Sequence, residues 1–334
     1  MRIATVATPP SDHNLQLARQ IGVTDIVGRF PGLQLESLIA LRDRIARFDL
    51  RLSVIEGYIP HEKIVHGLDG RDQQIEHFNT LLRNMGRAGV PICCYNFMPD
   101  DDWSRTGVDT LERGGALVTR FDIDELQDET RRPISDDQLW DHLTYLLQRI
   151  VPVAEEAGVK LALHPDDPPM SPLHGQARIM RDLDAFERVV RIVPSPANGV
   201  CFCQGSFAQM GHDIPDAIRR LAPHIHYVHF RDVRGRVPKF QETFHDNGDT
   251  DMVAAMRTYH EIGFTGPMRP DHVPTLIGDP INQNMVLPIK PDATEVSLET
   301  YNAPEGPATA GYTMTGRLFA VGYMRGLIES AMHD

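Results

Sequence analysis

Cysteine is scarce in this chain, and so are long apolar runs, positive charge and glycine-rich phosphate loops. The four cysteines among 334 residues fall as an adjacent pair, Cys93 and Cys94, and an alternate pair, Cys201 and Cys203. Neither spacing suits a disulfide framework, so reduced thiols or a metal site are expected. No run approaches the roughly 18–20 apolar residues that span a bilayer. The opening Met1-Arg2-Ile3-Ala4-Thr5-Val6-Ala7 meets Thr8-Pro9-Pro10 too soon to hold a secretory apolar core. A cytoplasmic protein without membrane contact is therefore expected. Basic residues number 33 against 46 acidic ones, a net charge of −13. That is the wrong sign for a nucleic-acid partner, whose phosphates need a basic footprint. No Gly-x-Gly-x-x-Gly follows the first apolar run, which removes the main support for a dinucleotide-binding doubly wound sheet.

What is present is an alternation. With 41% hydrophobic and 24% charged residues the chain is globular in composition rather than disordered. Short apolar runs predict strands at Arg2–Ala7, Thr24–Val27, Arg51–Ile55, Val90–Cys94, Val159–Leu163, Gly199–Cys203, Ile225–His229 and Pro267–Pro270. Between them lie helical patterns such as Leu35–Phe48, Arg71–Ala88, Asp136–Ala157, Ala177–Ile192 and Asp251–Ile262, with a last one from about Thr315 to Met332. Several end in Ala-Gly or Ile-Gly, and glycine supplies the left-handed residue that stops a helix. Strands alternating with helices imply parallel sheet, and eight such units imply a closed α/β barrel, the (β/α)8 or TIM barrel. Residues 1–334 are expected to form one such domain, since this barrel is the architecture that exceeds the usual size of a single core. Two stretches break the repeat. Met98–Pro133, acidic and rich in turn residues, is expected to be a long loop after the fourth strand. Val273–Ala310, with six prolines, is expected to be an insertion after the eighth. Loops of that length tend to be functional, and those following barrel strands lie at the rim where active sites form.

The residues that end the last four strands carry chemistry. They read Leu163-His164, Phe202-Cys203, Val228-His229 and Pro270-Asp271. Side chains alternate along a strand. If Leu161 and Leu163 face the helices, Ala162 and His164 face the barrel axis, and the same parity points Cys203 and His229 inward. Asp271 joins them if the last strand continues through Pro270. Imidazole, thiolate and carboxylate at one rim form a ligand set for a divalent transition metal. The other cysteines are expected to pack as small apolar residues. Arg231 could clamp an anionic group of a substrate or pair with Asp232 or Asp271, and Asn96 could hydrogen-bond a substrate. No strand end offers a glutamate ligand, which weighs against sugar isomerisation and against phosphodiester cleavage at a three-metal site.

The motifs, taken in order, resemble those of the mannonate dehydratase family, lyases of hexuronate breakdown with a xylose-isomerase-like barrel. They include Cys93-Cys94-Tyr95-Asn96-Phe97-Met98-Pro99, Asp102-Trp103-Ser104-Arg105, His164-Pro165-Asp166-Asp167-Pro168-Pro169 and Phe202-Cys203-Gln204-Gly205. His229-Phe230-Arg231-Asp232, Phe244-His245-Asp246-Asn247-Gly248, Arg269-Pro270-Asp271-His272, Gly311-Tyr312 and Gly316-Arg317 complete the series. The resemblance implies His164, Cys203, His229 and Asp271 as metal ligands, His272 and Tyr312 as catalytic residues, and Mn²⁺, or else Fe²⁺, as the ion. It also implies a small sugar acid as substrate and a homodimer or larger homo-oligomer. The implied reaction converts D-mannonate to 2-keto-3-deoxy-D-gluconate and water. Val273-Pro274-Thr275 stands where the family has Gly-His-Gln, a change at the substrate rim. Three alternatives stay open: dehydration of another aldonic acid, a metal-dependent sugar isomerase on the same barrel, and a non-catalytic sugar-acid binder.

Overall fold

The computed structural model describes residues 1–8, 10–57, 59–100, 103–127, 129, 131–279, 281–282, 294 and 308–333. The strands in chain order are β1 (Arg2–Thr5), β2 (Asp25–Gly28), β3 (Arg51–Glu56), β4 (Ile92–Tyr95), β5 (Gly107–Leu111) and β6 (Leu117–Asp122). They continue as β7 (Lys160–Leu163), β8 (Asn198–Cys203), β9 (Ile225–Phe230), β10 (Val233–Arg236), β11 (Lys239–Glu242) and β12 (Pro267–Pro270). Eight of them close a parallel barrel in the order β1-β12-β9-β8-β7-β4-β3-β2. Helices separate the barrel strands: α1 (Asp12–Gln20), α2 (Leu35–Ala46), α3 (Glu62–Val65), α4 (Arg71–Ala88), α5 (Asp136–Ala157), α6 (Leu183–Ile192), α7 (Gln204–Gln209), α8 (Ile214–Leu221) and α9 (Met252–Glu261). A last helix, α10 (Met314–His333), follows β12. This is a (β/α)8 barrel, and each of its eight strands falls on a run that the sequence marks as apolar.

Local chemistry sets the helix ends. The Ser135 side chain accepts from the Gln138 backbone while the Gln138 side chain accepts from the Ser135 backbone, a reciprocal cap that starts α5. Gly89 and Gly158 end α4 and α5 in the left-handed region. The helix over Ala177–Ile192 is shorter than its periodicity suggests. It begins at Leu183 because the Asp182 carboxylate caps the Ala185 N–H.

Around the barrel strands the apolar side chains fall into two layers, with a third small cluster of Phe121, Leu173, Val233 and Phe240 under the rim sheet. Leu161, Leu163, Val200, Phe202, Cys93 and Val228 belong to the large core between strands and helices. Ala4, Val6, Val27, Val54, Ile92, Cys94, Ala162, Cys201 and Tyr227 fill the barrel interior. This division follows the alternation of the strands, so the next inward positions along β7, β8 and β9 are those of His164, Cys203 and His229.

The stretch Met98–Pro133 is not simply a loop. It carries β5 and β6, which join β10 and β11 in a four-stranded antiparallel sheet in the order β10-β11-β6-β5. Both hairpins follow barrel strands, so the small sheet caps the rim where those strands end. Gly114 and Gly115, both at positive φ, make the turn between β5 and β6. The acidic surroundings hide these strands from a reading of local composition, and β6 pairs with β11 more than a hundred residues away. Most of the Val273–Ala310 insertion lies outside the described residues. Within it, β13 (Ile281–Asn282) and β14 (Ala308–Thr309) pair in parallel.

Candidate metal centre

Four barrel strands deliver His164, Cys203, His229 and Asp271 to one point. One ligand atom from each lies within 4.8 Å of all the others. Nε2 of His164 and Nδ1 of His229 are 3.1 Å apart, and Asp271 Oδ2 is 3.5 Å from that Nδ1. Two imidazoles, a thiol and a carboxylate converging in this way fit a divalent transition metal with positions left for substrate. Each donor is also held from behind. His164 Nδ1 lies 2.7 Å from the Pro165 carbonyl, Ser206 donates its hydroxyl to Cys203 Sγ at 3.3 Å, and Arg269 donates to Asp271 Oδ1 at 2.6 Å. Partners of this kind fix the orientation of a ligand.

Glu56, at the end of β3, is an acid that no motif in the sequence singles out. It is not a member of the four-residue group but braces it. Its Oε2 lies 3.0 Å from His229 Nε2 and accepts from the Tyr227 hydroxyl at 2.8 Å. Arg269 and Arg29 donate to Oε1 at 2.7 and 2.9 Å. The His229 ring is thus fixed with Nδ1 toward the cluster.

Neighbouring charges set the protonation of the donors. Burial would raise the Cys203 thiol, but Arg231 and His164 outweigh it and hold its pKa well below the ordinary range. Burial and Arg269 disfavour a charged His229, yet Glu56 and Asp271 prevail and raise it well above the usual histidine value. Asp271 is held low against burial, by Arg269 first and also by His229. A bound ion would take the place of these protons.

His272 and Tyr312 meet beside the cluster, with the Tyr312 hydroxyl 3.4 Å from His272 Nε2. That Nε2 is 3.8 Å from Asp271 Oδ2 and 3.7 Å from Asp167 Oδ2. His272 adopts a positive φ of 43°, rare for a side-chain-bearing residue. Its Nδ1 is buried without a partner, and burial holds the ring neutral. Gly311 lies against it: a Cβ there would be 3.2 Å from Nδ1. Trp103, from the chain after β4, sets its indole edge-on to His272 at 4.9 Å and 5.9 Å from the Tyr312 ring.

Arg231 and Asn96 are both engaged with partners inside the protein. Arg231 is fully buried and its partners are internal: Glu242, Asp167 at 3.0 Å, Ser206 at 3.1 Å, and Cys203 and Asp271, each at 3.4 Å. Of its two anticipated acid partners, Asp271 is present. Asn96 accepts from the Met98 N–H at 3.2 Å and lines a recess with Ile59, His61 and Phe78, outside the cluster. Nothing local in the sequence singles out Glu56 or joins Arg105, Asp167 and Glu242 to one another. Arg105 forks onto Asp167 at 2.7 and 3.0 Å and reaches Glu242 at 2.6 Å, tying the rim sheet to β7. Their acid and base character was visible, but their mutual proximity was not. Cys94, Cys201 and His229 form a second close group, with ligand atoms also within 4.8 Å, on the apolar side of the site.

The sequence model of the family described as D-mannonate dehydratase (UxuA) matches residues 11–133 and 129–334. The chain belongs to the D-mannonate dehydratase family. A protein named mannonate dehydratase 2 from Halalkalibacterium halodurans is 39% identical over 269 residues, 71% of this chain and 78% of the relative. Mannonate dehydratase from Thermotoga neapolitana is 35% identical over 305 residues, 77% and 84% of the two chains. The crystal structure of mannonate dehydratase from Streptococcus suis serotype 2 superposes with a TM-score of 0.86 at 31% identity, covering 100% of this chain and 94% of that one. Xylose isomerase domain proteins at 14–16% identity share the fold. The family is one of hydro-lyases, and a sugar acid is the class of substrate it implies. No helix among the described residues is long and apolar enough to cross a membrane.

Proposed function

We propose that this protein dehydrates D-mannonate to 2-keto-3-deoxy-D-gluconate and water at the His164–Cys203–His229–Asp271 cluster, in hexuronate breakdown. The observation that carries the reading is the His272–Tyr312 pair, 3.4 Å apart, set against a four-donor metal cluster in a chain of this family. The reaction removes the C2 proton, alpha to a carboxylate, and expels the C3 hydroxyl; the enol then tautomerises to the ketone. A divalent ion, Mn²⁺ or Fe²⁺, held by the four residues would offset the negative charge that develops next to the substrate carboxylate.

The chain's own groups divide the remaining work. His272 is neutral, so its ring can accept a proton. The Tyr312 hydroxyl, whose pKa burial raises well above its usual value, keeps its proton and can donate it to a leaving oxygen. Their contact lets one proton pass between them, so the pair acts as a relay. Trp103 packs against both rings and helps to hold them in place. Arg231 keeps Cys203 in the thiolate form a metal requires. A cytoplasmic homo-oligomer belongs to the same reading.

The test is to strip the protein with chelator, restore Mn²⁺ or Fe²⁺ without oxygen, add D-mannonate and follow the 2-keto-3-deoxy acid. Metal-dependent product supports the reading. Full metal binding with no product from D-mannonate, but turnover of another aldonate, would replace the substrate and leave the reaction class.

A further inference from the structure

A buried cation is costly unless an anion accompanies it. Five arginines are buried among the described residues: Arg105, Arg178, Arg231, Arg269 and Arg317. Four obey the rule. Arg105 meets Asp167 and Glu242, Arg231 meets Asp167, Glu242 and Asp271, and Arg269 meets Glu56 and Asp271. Arg178 has Asp166 at 3.8 Å.

Arg317 is the exception. It stands in the first turn of α10, is 1% exposed, and has no carboxylate within ion-pair distance among the described residues. Its partners are neutral oxygens: Nη1 donates to the Thr8 hydroxyl at 3.1 Å and to the Tyr312 carbonyl at 2.6 Å. Nε is buried with no hydrogen-bond partner among the described residues. Burial, then Arg269 and Arg29, push its pKa down to about 9, the direction expected of a cation short of negative charge. Its position is also particular. The guanidinium lies 5.4 Å from the centre of the Tyr312 ring, and Arg29 lies 5.8 Å from the same ring.

We propose that Arg317 anchors the carboxylate of the sugar-acid substrate, a role that rests on the dehydratase reading. A carboxylate supplies the charge that is missing and matches the planar fork of a guanidinium. A neutral polyol of the same length does not, so Arg317 makes the site select aldonates over alditols. Arg231, the carboxylate clamp that position along β9 suggests, already has its acids. Among the described residues no carboxylate balances Arg317, and a substrate carboxylate would supply that charge.

The experiment compares wild type, Arg317→Met and Arg317→Gln, each loaded with Mn²⁺. Two readouts are needed: kcat and KM for D-mannonate, and the thermal shift produced by D-mannonate, D-gluconate and neutral D-mannitol. The expected result is that Arg317→Met without ligand is at least as stable as wild type. Its KM rises roughly tenfold or more with a smaller change in kcat, and the aldonate-induced shift is lost. Guanidinium ion added to the solution restores part of the affinity, while D-mannitol shifts no form appreciably. An unchanged KM and aldonate shift overturn the proposal, as does a less stable ligand-free variant with unchanged aldonate affinity. If Arg317→Met does not fold, Arg317→Gln decides, since it keeps a donor for Thr8 and Tyr312 without the charge. Loss of aldonate binding in that variant supports the anchor and its retention overturns it. If wild type does not turn over D-mannonate, the dehydratase reading fails, and the aldonate-against-polyol shift still decides Arg317.

Discussion

Glu56 Oε2 and His229 Nε2 are 3.0 Å apart at the floor of the cluster, and this contact aims the other nitrogen of the ring at the three remaining donors. A carboxylate behind a histidine ligand fixes the ring and raises its basicity. Glu56→Gln should therefore weaken Mn²⁺ binding by roughly 10–100-fold. Calorimetric titration of the stripped protein measures it, and unchanged affinity would leave Glu56 a purely structural partner of Arg269.

His272 and Tyr312 are expected to act on protons and not on the metal. His272→Asn and Tyr312→Phe should each lower kcat by about 10²–10⁴-fold while metal content stays at the wild-type level. Metal analysis alongside steady-state rates separates the two effects. Loss of metal together with activity would move these residues into the binding site proper.

The barrel was legible because its signals are local. Strands such as Arg51–Glu56 and Ile225–Phe230 are short apolar runs, and glycines at 89 and 158 mark helix ends. The inward parity of His164, Cys203 and His229 followed from counting by twos along β7, β8 and β9. What stayed hidden depends on distant partners. Glu56 looks like a charged residue before a glycine until Arg269, 213 residues away, and His229, 173 away, close around it. Arg105 and Glu242 are likewise 137 residues apart. The rim sheet combines hairpins inserted after two different barrel strands, and no window of sequence contains both.

The Arg105–Asp167–Glu242–Arg231 network should be costly to break and cheaper to replace. Arg105→Met leaves buried carboxylates short of a cation and should destabilise the fold by about 3–5 kcal/mol in urea unfolding. Adding Glu242→Leu should recover part of that loss. A single substitution costing under about 1 kcal/mol would contradict the network's importance to stability.

Asp232 predicts a pH dependence of stability. Its carboxylate accepts from the Val233 and Thr250 N–H groups, yet burial dominates and raises its pKa to about 6. The folded state thus holds this proton more tightly than the unfolded chain, whose value is near 4. The stability it contributes is complete below pH ~4 and is lost as pH rises through about 6, a change of roughly 2–3 kcal/mol. Urea midpoints between pH 4 and 7 should fall less steeply in Asp232→Asn than in wild type. Parallel profiles would refute the assignment.

The most direct test of the central claim is X-ray absorption at the metal edge of the active, Co²⁺- or Mn²⁺-loaded protein. The account predicts one sulfur neighbour among nitrogen and oxygen ligands, lost in Cys203→Ser together with dehydration of D-mannonate. Two sulfurs would move the ion to Cys94 and Cys201, and an active protein with no sulfur at its metal would contradict the four-residue site.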